Sequence, residues 1–200
     1  MRIFCVALAL AALVGVCGPS LSAQSATARS VGPVTAAVRI DLFSDFQCPA
    51  CKALHEQTVK RVKDEFAQKG RIRLVHHDFP LPQHKFARQA AVLAAAAERL
   101  GKFDVVADAL FRQQESWSQS GAVDAAVDSV LTPEERKKLR EIAKDPAILA
   151  GIERDIQLGT RMLVSSTPTM IVTHDGKPNP VVGVVTYPVF SKYLGTITKP

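Results

Sequence analysis

Two thiols three residues apart, in the run Cys48-Pro49-Ala50-Cys51, are the side chains of this 200-residue chain best suited to covalent chemistry. They follow the apolar run Val38–Phe43 and open a stretch of helical periodicity, so both fall in the first turn of a helix, on one face of it. Sulfurs so placed can form and break a disulfide while the backbone stays put. The start of a helix is exposed, leaves N–H groups unpaired and carries the positive end of the dipole, all of which favour thiolate at Cys48. Cys48 is therefore the expected nucleophile and Cys51, one turn deeper, the resolving thiol. The chemistry predicted is thiol–disulfide exchange. Pro49, with no N–H to donate, and Ala50, with no charge, would help set the balance between thiolate and disulfide.

The remaining cysteines, Cys5 and Cys17, lie in a stretch that reads as a targeting segment. Met1-Arg2 supplies a positive start, Ile3–Val16 an apolar run of signal-peptide length, and Leu21-Ser22-Ala23 a small residue at the cut. Residues 1–23 are thus the expected signal peptide, with Ala26-Thr27-Ala28 as a second cleavage point. Retention of the segment, or a lipid on Cys17, would tether the protein to a membrane, although bulky Val16 fits lipid processing poorly. Removal leaves Cys48 and Cys51 as the only thiols, in an oxidising, periplasmic or extracytoplasmic compartment.

Without residues 1–23 the chain loses one basic residue, Arg2, and no acidic one, which leaves 24 Lys and Arg against 19 Asp and Glu. Charges of both signs alternate, as in Lys60-Arg61-Val62-Lys63-Asp64-Glu65, so solvated helix faces are expected and nucleic acid is not. The length suits one compact domain.

Several elements must position the cysteines. Residues 24–37 read as a flexible leader, small and polar with a Gly-Pro pair. Val38–Phe43 suits a buried strand, Pro49–Lys69 a helix closed by Gly70, and Arg71–His76 a second strand. A right-handed crossover then makes the two strands parallel and puts the cysteines at their carboxyl ends. Residues from about 84 to 164 are almost wholly helical in pattern. Ala87–Leu100 stops at Gly101, and Phe103–Trp117 carries an apolar stripe through Val106, Ala107, Leu110 and Phe111. Thr132-Pro133-Glu134-Glu135 spells an N-cap, a first-turn proline and a capping box, and Asp145-Pro146 repeats the cap and proline. Thr169–Thr173, a turn at Asp175-Gly176 and Val181–Val185 predict a hairpin, and Pro188–Leu194 a closing helix.

This order predicts an α/β, thioredoxin-like fold over residues 38–200 with an inserted helical subdomain. The segment Ser44-Asp45-Phe46-Gln47-Cys48-Pro49-Ala50-Cys51 resembles that of the DsbA-like thiol-disulfide oxidoreductases. Phe79-Pro80-Leu81 with His84, and Thr167-Pro168-Thr169, match the same family in the same order. The resemblance implies that Pro168 follows a cis peptide bond and lies beside the Cys48 sulfur. Thr167 would then face the sulfurs, and an extended substrate segment would pair beside Pro168. It further implies an exported protein dithiol–disulfide oxidoreductase that needs no cofactor or metal and works as a monomer. Its partners would be unfolded or reduced exported proteins, and a membrane or soluble redox partner. Strong oxidants of the family often carry histidine where this chain has Ala50, which predicts a milder disulfide donor; reductase or isomerase activity is the alternative.

One position departs from the family pattern. Leu42 stands six residues before Cys48, where relatives commonly carry a buried acid thought to move the proton of the resolving cysteine. Asp41 is adjacent, but alternate strand residues face opposite sides. Water, Asp45 or His55 could serve instead, since His55 follows Cys51 by four residues on the same helical face. His76, His77, His84 and His174 have weaker claims, and Trp117 reads as core. A metal module built on Cys48, Cys51 and His55 falls short of the four ligands of zinc sites. A non-catalytic chaperone module would not need both cysteines.

Overall fold

In a computed structural model, residues 29–198 are described. The expected signal peptide, Cys5 and Cys17 lie outside them. A five-stranded sheet runs in the order β1 (Ser30–Val31), β3 (Arg73–Asp78), β2 (Val38–Ser44), β4 (Thr169–His174), β5 (Lys177–Val182). β2 is parallel to β3 and antiparallel to β4, so the strand that leads to the cysteines is central, and all its residues but Arg39 are buried. That burial explains its nearly continuous apolar sequence.

From the end of β2 the chain turns into a helix over residues 49–67. Two α-helical stretches, α1 (Pro49–Leu54) and α2 (Lys60–Val62), alternate with π-helical turns at His55–Val59 and Lys63–Ala67. Gly70, at φ +74°, ends it in the left-handed conformation that glycine adopts without strain. Between β3 and β4 lie α3 (Ala87–Glu98), α4 (Phe103–Arg112), α5 (Gln114–Ser120), α6 (Val123–Asp128), α7 (Pro133–Ala143) and α8 (Pro146–Arg161); α9 (Tyr187–Ile197) follows the hairpin. The apolar stripe expected to continue to Trp117 breaks at Gln113, so that Trp117 folds back and its Nε1–H donates to the Leu110 carbonyl at 2.7 Å. Both halves of the capping box form: Glu135 N–H donates to Thr132 Oγ1 at 3.3 Å and Thr132 N–H to Glu135 Oε2 at 2.9 Å.

Apolar packing divides at the cysteines. Cys48 and Cys51 belong, with Phe46, Phe111 and Trp117, to the core of the helical block, whereas Leu42 and Leu54 belong to the core between the sheet, helix 49–67 and α9. The reactive pair thus sits in the seam between sheet and inserted helices.

Two expectations need correction. Residues 29–31, assigned to the flexible leader, are docked on the outer edge of β3: Ser30 pairs with Val75 and Val31 with Leu74. Arg29 holds them there, with NH2 at 2.7 Å from both Asp78 and Asp155. Gly32 makes the approach feasible, because a Cβ there would lie 2.0 Å from the Ile72 carbonyl oxygen. The second strand of the hairpin begins at Lys177 rather than Val181 and ends before Gly183. A two-residue turn, Asp175 and Gly176 both at positive φ, fixes His174 opposite Lys177. Pro178 and Pro180 are then tolerated because β5 is an edge strand, whose alternate nitrogens face away from β4.

Candidate active site

Ser44 closes β2, and the next three residues form a turn in which Cys48 N–H donates to the Asp45 carbonyl at 3.1 Å. The Asp45 carboxylate pins this turn from within. It accepts from Gln47 N–H at 2.7 Å, Leu81 N–H at 2.8 Å and His84 Nδ1 at 2.7 Å, tying the cysteine turn to the segment after β3. Gln114 of α5 clamps the other side, with Nε2 donating to the Phe46 carbonyl at 2.7 Å and the Cys48 carbonyl at 3.0 Å. Cys48 is therefore the N-cap of α1, with extended backbone (φ −78°, ψ 121°) and Pro49 in the first turn.

Both cysteines are free thiols. Cys48 Sγ lies 3.4 Å from the carbonyl oxygen of Thr167, whose peptide bond to Pro168 is cis. Cys51 Sγ accepts from the Asp45 backbone N–H at 3.4 Å. Exposure hardly separates the two, at 7 % for Cys48 and 2 % for Cys51, so the expectation of an exposed Cys48 is not met. Electrostatics does separate them. The Cys51 S–H directed at Cys48 brings the Cys48 pKa down to about 5; burial opposes this, and Thr167 and the backbone N–H groups of Cys51 and Ala50 add to it. Burial and then the adjacent Cys48 sulfur push Cys51 far the other way. In the thiolate, the S–H donation to the Thr167 carbonyl is lost. The Thr167 hydroxyl, buried and with no partner among the described residues, is then the donor at hand.

With the cysteines at a strand-to-helix turn and the cis-proline loop against the sulfur, the geometry can be set beside known proteins. A profile of the family described as thioredoxin matches residues 24–180. The chain belongs to the thioredoxin family. The probable disulfide bond formation protein D of Bacillus cereus is 24% identical over 155 residues, covering 73% of this chain and 70% of the relative. Disulfide bond formation protein D of Bacillus subtilis is 25% identical over 164 residues, 77% of this chain and 69% of that one. Among solved structures, the thiol-disulfide exchange protein α-DsbA2 of Wolbachia pipientis superposes with a TM-score of 0.69 at 22% identity, over 84% of this chain and 85% of that one. Oxidised BdbD from Bacillus subtilis superposes with a TM-score of 0.64 at 21% identity, over 86% and 93%. Within the thioredoxin family the fold is DsbA-like, with the helical block between β3 and β4.

The fold brings together the candidates Cys48, Pro49, Ala50, Cys51, Thr167 and Pro168. The two other candidates stand differently. The Asp45 carboxylate is engaged with the loop, and only its backbone N–H touches a sulfur. His55 Nε2 lies 2.6 Å from Asp108 Oδ1 and its ring packs on Phe111, centroids 4.6 Å apart. Hydrogen bonding from His55, helped by Lys60, holds Asp108 down at about 2. Leu42 and Asp41 face opposite ways: Leu42 lines the cavity beneath Cys51, and Asp41 accepts from His77 Nε2 at 2.8 Å. Ser44, Asp108 and Gln114 escaped the sequence reading, in which His76 has only a weak claim. Only Ser44, last residue of the strand that leads to the cysteines, carried a positional signal. Among the described residues no three His, Cys, Asp or Glu side chains group as metal ligands.

Proposed function

We propose that this protein is an exported protein dithiol–disulfide oxidoreductase that donates disulfides to reduced extracytoplasmic chains. The observation that carries the direction is the Cys48 pKa of about 5 beside a Cys51 pushed up by burial. A stable Cys48 thiolate stabilises the reduced protein and so makes its disulfide oxidising. In the oxidised protein, a substrate thiolate attacks Cys48 Sγ, the Cys48–Cys51 bond breaks, and Cys51 leaves and takes a proton. A second substrate thiolate attacks the substrate sulfur of the mixed disulfide and releases Cys48 as thiolate. The substrate has lost two electrons and the protein has gained them; a redox partner carrying a disulfide takes them back.

The substrate segment runs extended beside Pro168. Apolar side chains of an unfolded chain would fit the cavity of about 250 Å³ next to it, which is lined by Leu163, Val182 and Ile171 among others. Leu163 is 88 % exposed, which an apolar partner would relieve. Residues 1–23 act as the export signal, and the mature protein works as a monomer. Among the described residues, no helix is long and apolar enough to cross a membrane.

Equilibration with glutathione, followed by separation of reduced and oxidised forms, tests the direction. The expected potential lies between about −270 mV for thioredoxin and about −120 mV for DsbA, nearer the latter. A value at or below that of thioredoxin would overturn the donor assignment in favour of a reductase.

A further inference from the structure

We infer that His76, across the sheet from Leu42, is the proton acceptor for Cys51, working through water in the cavity beneath that sulfur. The inference rests on the oxidoreductase reading and concerns its least accessible step. Cys51 must lose its proton each time it resolves a mixed disulfide at Cys48, yet burial holds that proton on. On β2 the neighbouring residues supply no acceptor: Leu42 is apolar, and Asp41 points to the far face, where His77 and Arg39 occupy it.

The parallel register sets Leu42 opposite His76, and residues paired in this way project to the same face of the sheet. Leu42, Ser44, Cys51, His55 and His76 accordingly line one cavity of about 40 Å³. That is room for water, and Ser44, Cys51 and the two imidazoles provide polar partners for it. The His76 ring is held between Phe46, stacked at 5.6 Å, and Phe103, edge-on at 5.1 Å. Its Nε2 lies 3.3 Å from Asp78 Oδ1; donation to that carboxylate leaves Nδ1 as the basic nitrogen.

The charged and titratable groups around the imidazole come from four elements, while α4, which packs Phe103 on the ring, adds none to the cavity lining. Asp78 is on its own strand, Arg29 on the docked leader, Asp155 on α8, and His55 and Lys63 on helix 49–67. Burial, aided by Arg29, lowers the His76 pKa against the pull of Asp78 and Asp155. The ring is therefore neutral at neutral pH and free to accept. When Cys51 passes its proton to His76, the imidazolium is stabilised by Asp78. The Cys51 thiolate then forms the bond to Cys48 Sγ, the Cys48–partner bond breaks, and the partner leaves as a thiolate. His76 returns its proton to solvent, and the step reverses when Cys51 is the leaving group.

Reoxidation of the reduced protein by oxidised glutathione separates the steps. Formation of the Cys48–glutathione mixed disulfide is bimolecular, and its resolution by Cys51 is unimolecular. His76→Gln keeps a donor for Asp78 but cannot titrate, so at pH 7 it should slow resolution by about 10²-fold or more and abolish the low-pH inflection of that rate. The bimolecular step should keep its rate and its inflection near the Cys48 pKa. Adding Leu42→Glu to His76→Gln should restore resolution at least tenfold, because the register puts the new carboxyl in the same cavity. A resolution rate and pH profile unchanged by His76→Gln, or a loss seen only with His55→Gln, would overturn the assignment. Failure of the wild-type protein to form any mixed disulfide would instead sink the oxidoreductase reading itself.

Discussion

The two cysteines differ less in exposure than in what surrounds each sulfur. Cys48 receives an S–H, two backbone N–H groups and Thr167; Cys51 receives one backbone N–H and the Ser44 hydroxyl, and burial outweighs both. Nucleophile and resolver are thus distinguished by thiolate stability, and a labelling experiment should read that difference. Iodoacetamide should modify Cys48 first. Its rate should be level at neutral pH and fall about tenfold per pH unit below the inflection near pH 5. Dominant labelling of Cys51, or an inflection near the ordinary thiol value of about 8.5, would contradict the assignment. The Cys-x-x-Cys spacing made this pair legible in the sequence, because three residues on a helix is a local relation. The carbonyl of Thr167, 119 residues away, enters only through the fold, and so does the Asp45 carboxylate, which serves the loop rather than the sulfurs.

Elements whose ends are written locally were legible too. The Thr132–Glu135 box, the Asp145 cap and the Asp175-Gly176 turn each depend on residues within a few positions of one another. β1 was not legible, since its two residues are held by Arg29 contacts to Asp78 and Asp155, which are distant in sequence. Nor was the role of His76, which comes from its register against Leu42 rather than from any motif. The docked leader yields a prediction of its own. Gly32 is at φ +93° with the Ile72 carbonyl where a Cβ would go, so Gly32→Ala should push residues 29–31 off the edge of β3. The cost should be about 1–3 kcal/mol in denaturant unfolding. Amide exchange at His76, whose N–H donates to the Arg29 carbonyl at 2.7 Å, should accelerate together with the stability loss. Unchanged exchange there would mean that the edge pairing is not what holds the leader.

At the scale of the whole molecule, the cysteines lie where two separately packed cores meet, so their redox state is felt by the stability of the entire fold. The sign follows from Cys48. Its folded pKa, about 5, is below the unfolded thiol value, so the reduced protein gains stability as pH rises through 5, and that gain is complete only above the unfolded value. Cys51, pushed up in the fold, stays protonated in both folded and unfolded chains at neutral pH and contributes nothing there. In the oxidised protein neither thiol exists. The asymmetry should appear as a pH-dependent gap between the two forms, in which every other titrating group, common to both, cancels. Between pH 4 and pH 7 the reduced form should gain about 2–3 kcal/mol relative to the oxidised one, the result of two pH units above the folded pKa. Parallel denaturant unfolding of oxidised and fully reduced protein at those two pH values measures it. A gap that stays constant with pH would show that the Cys48 thiolate is not stabilised by the fold, and would remove the physical basis for an oxidising protein.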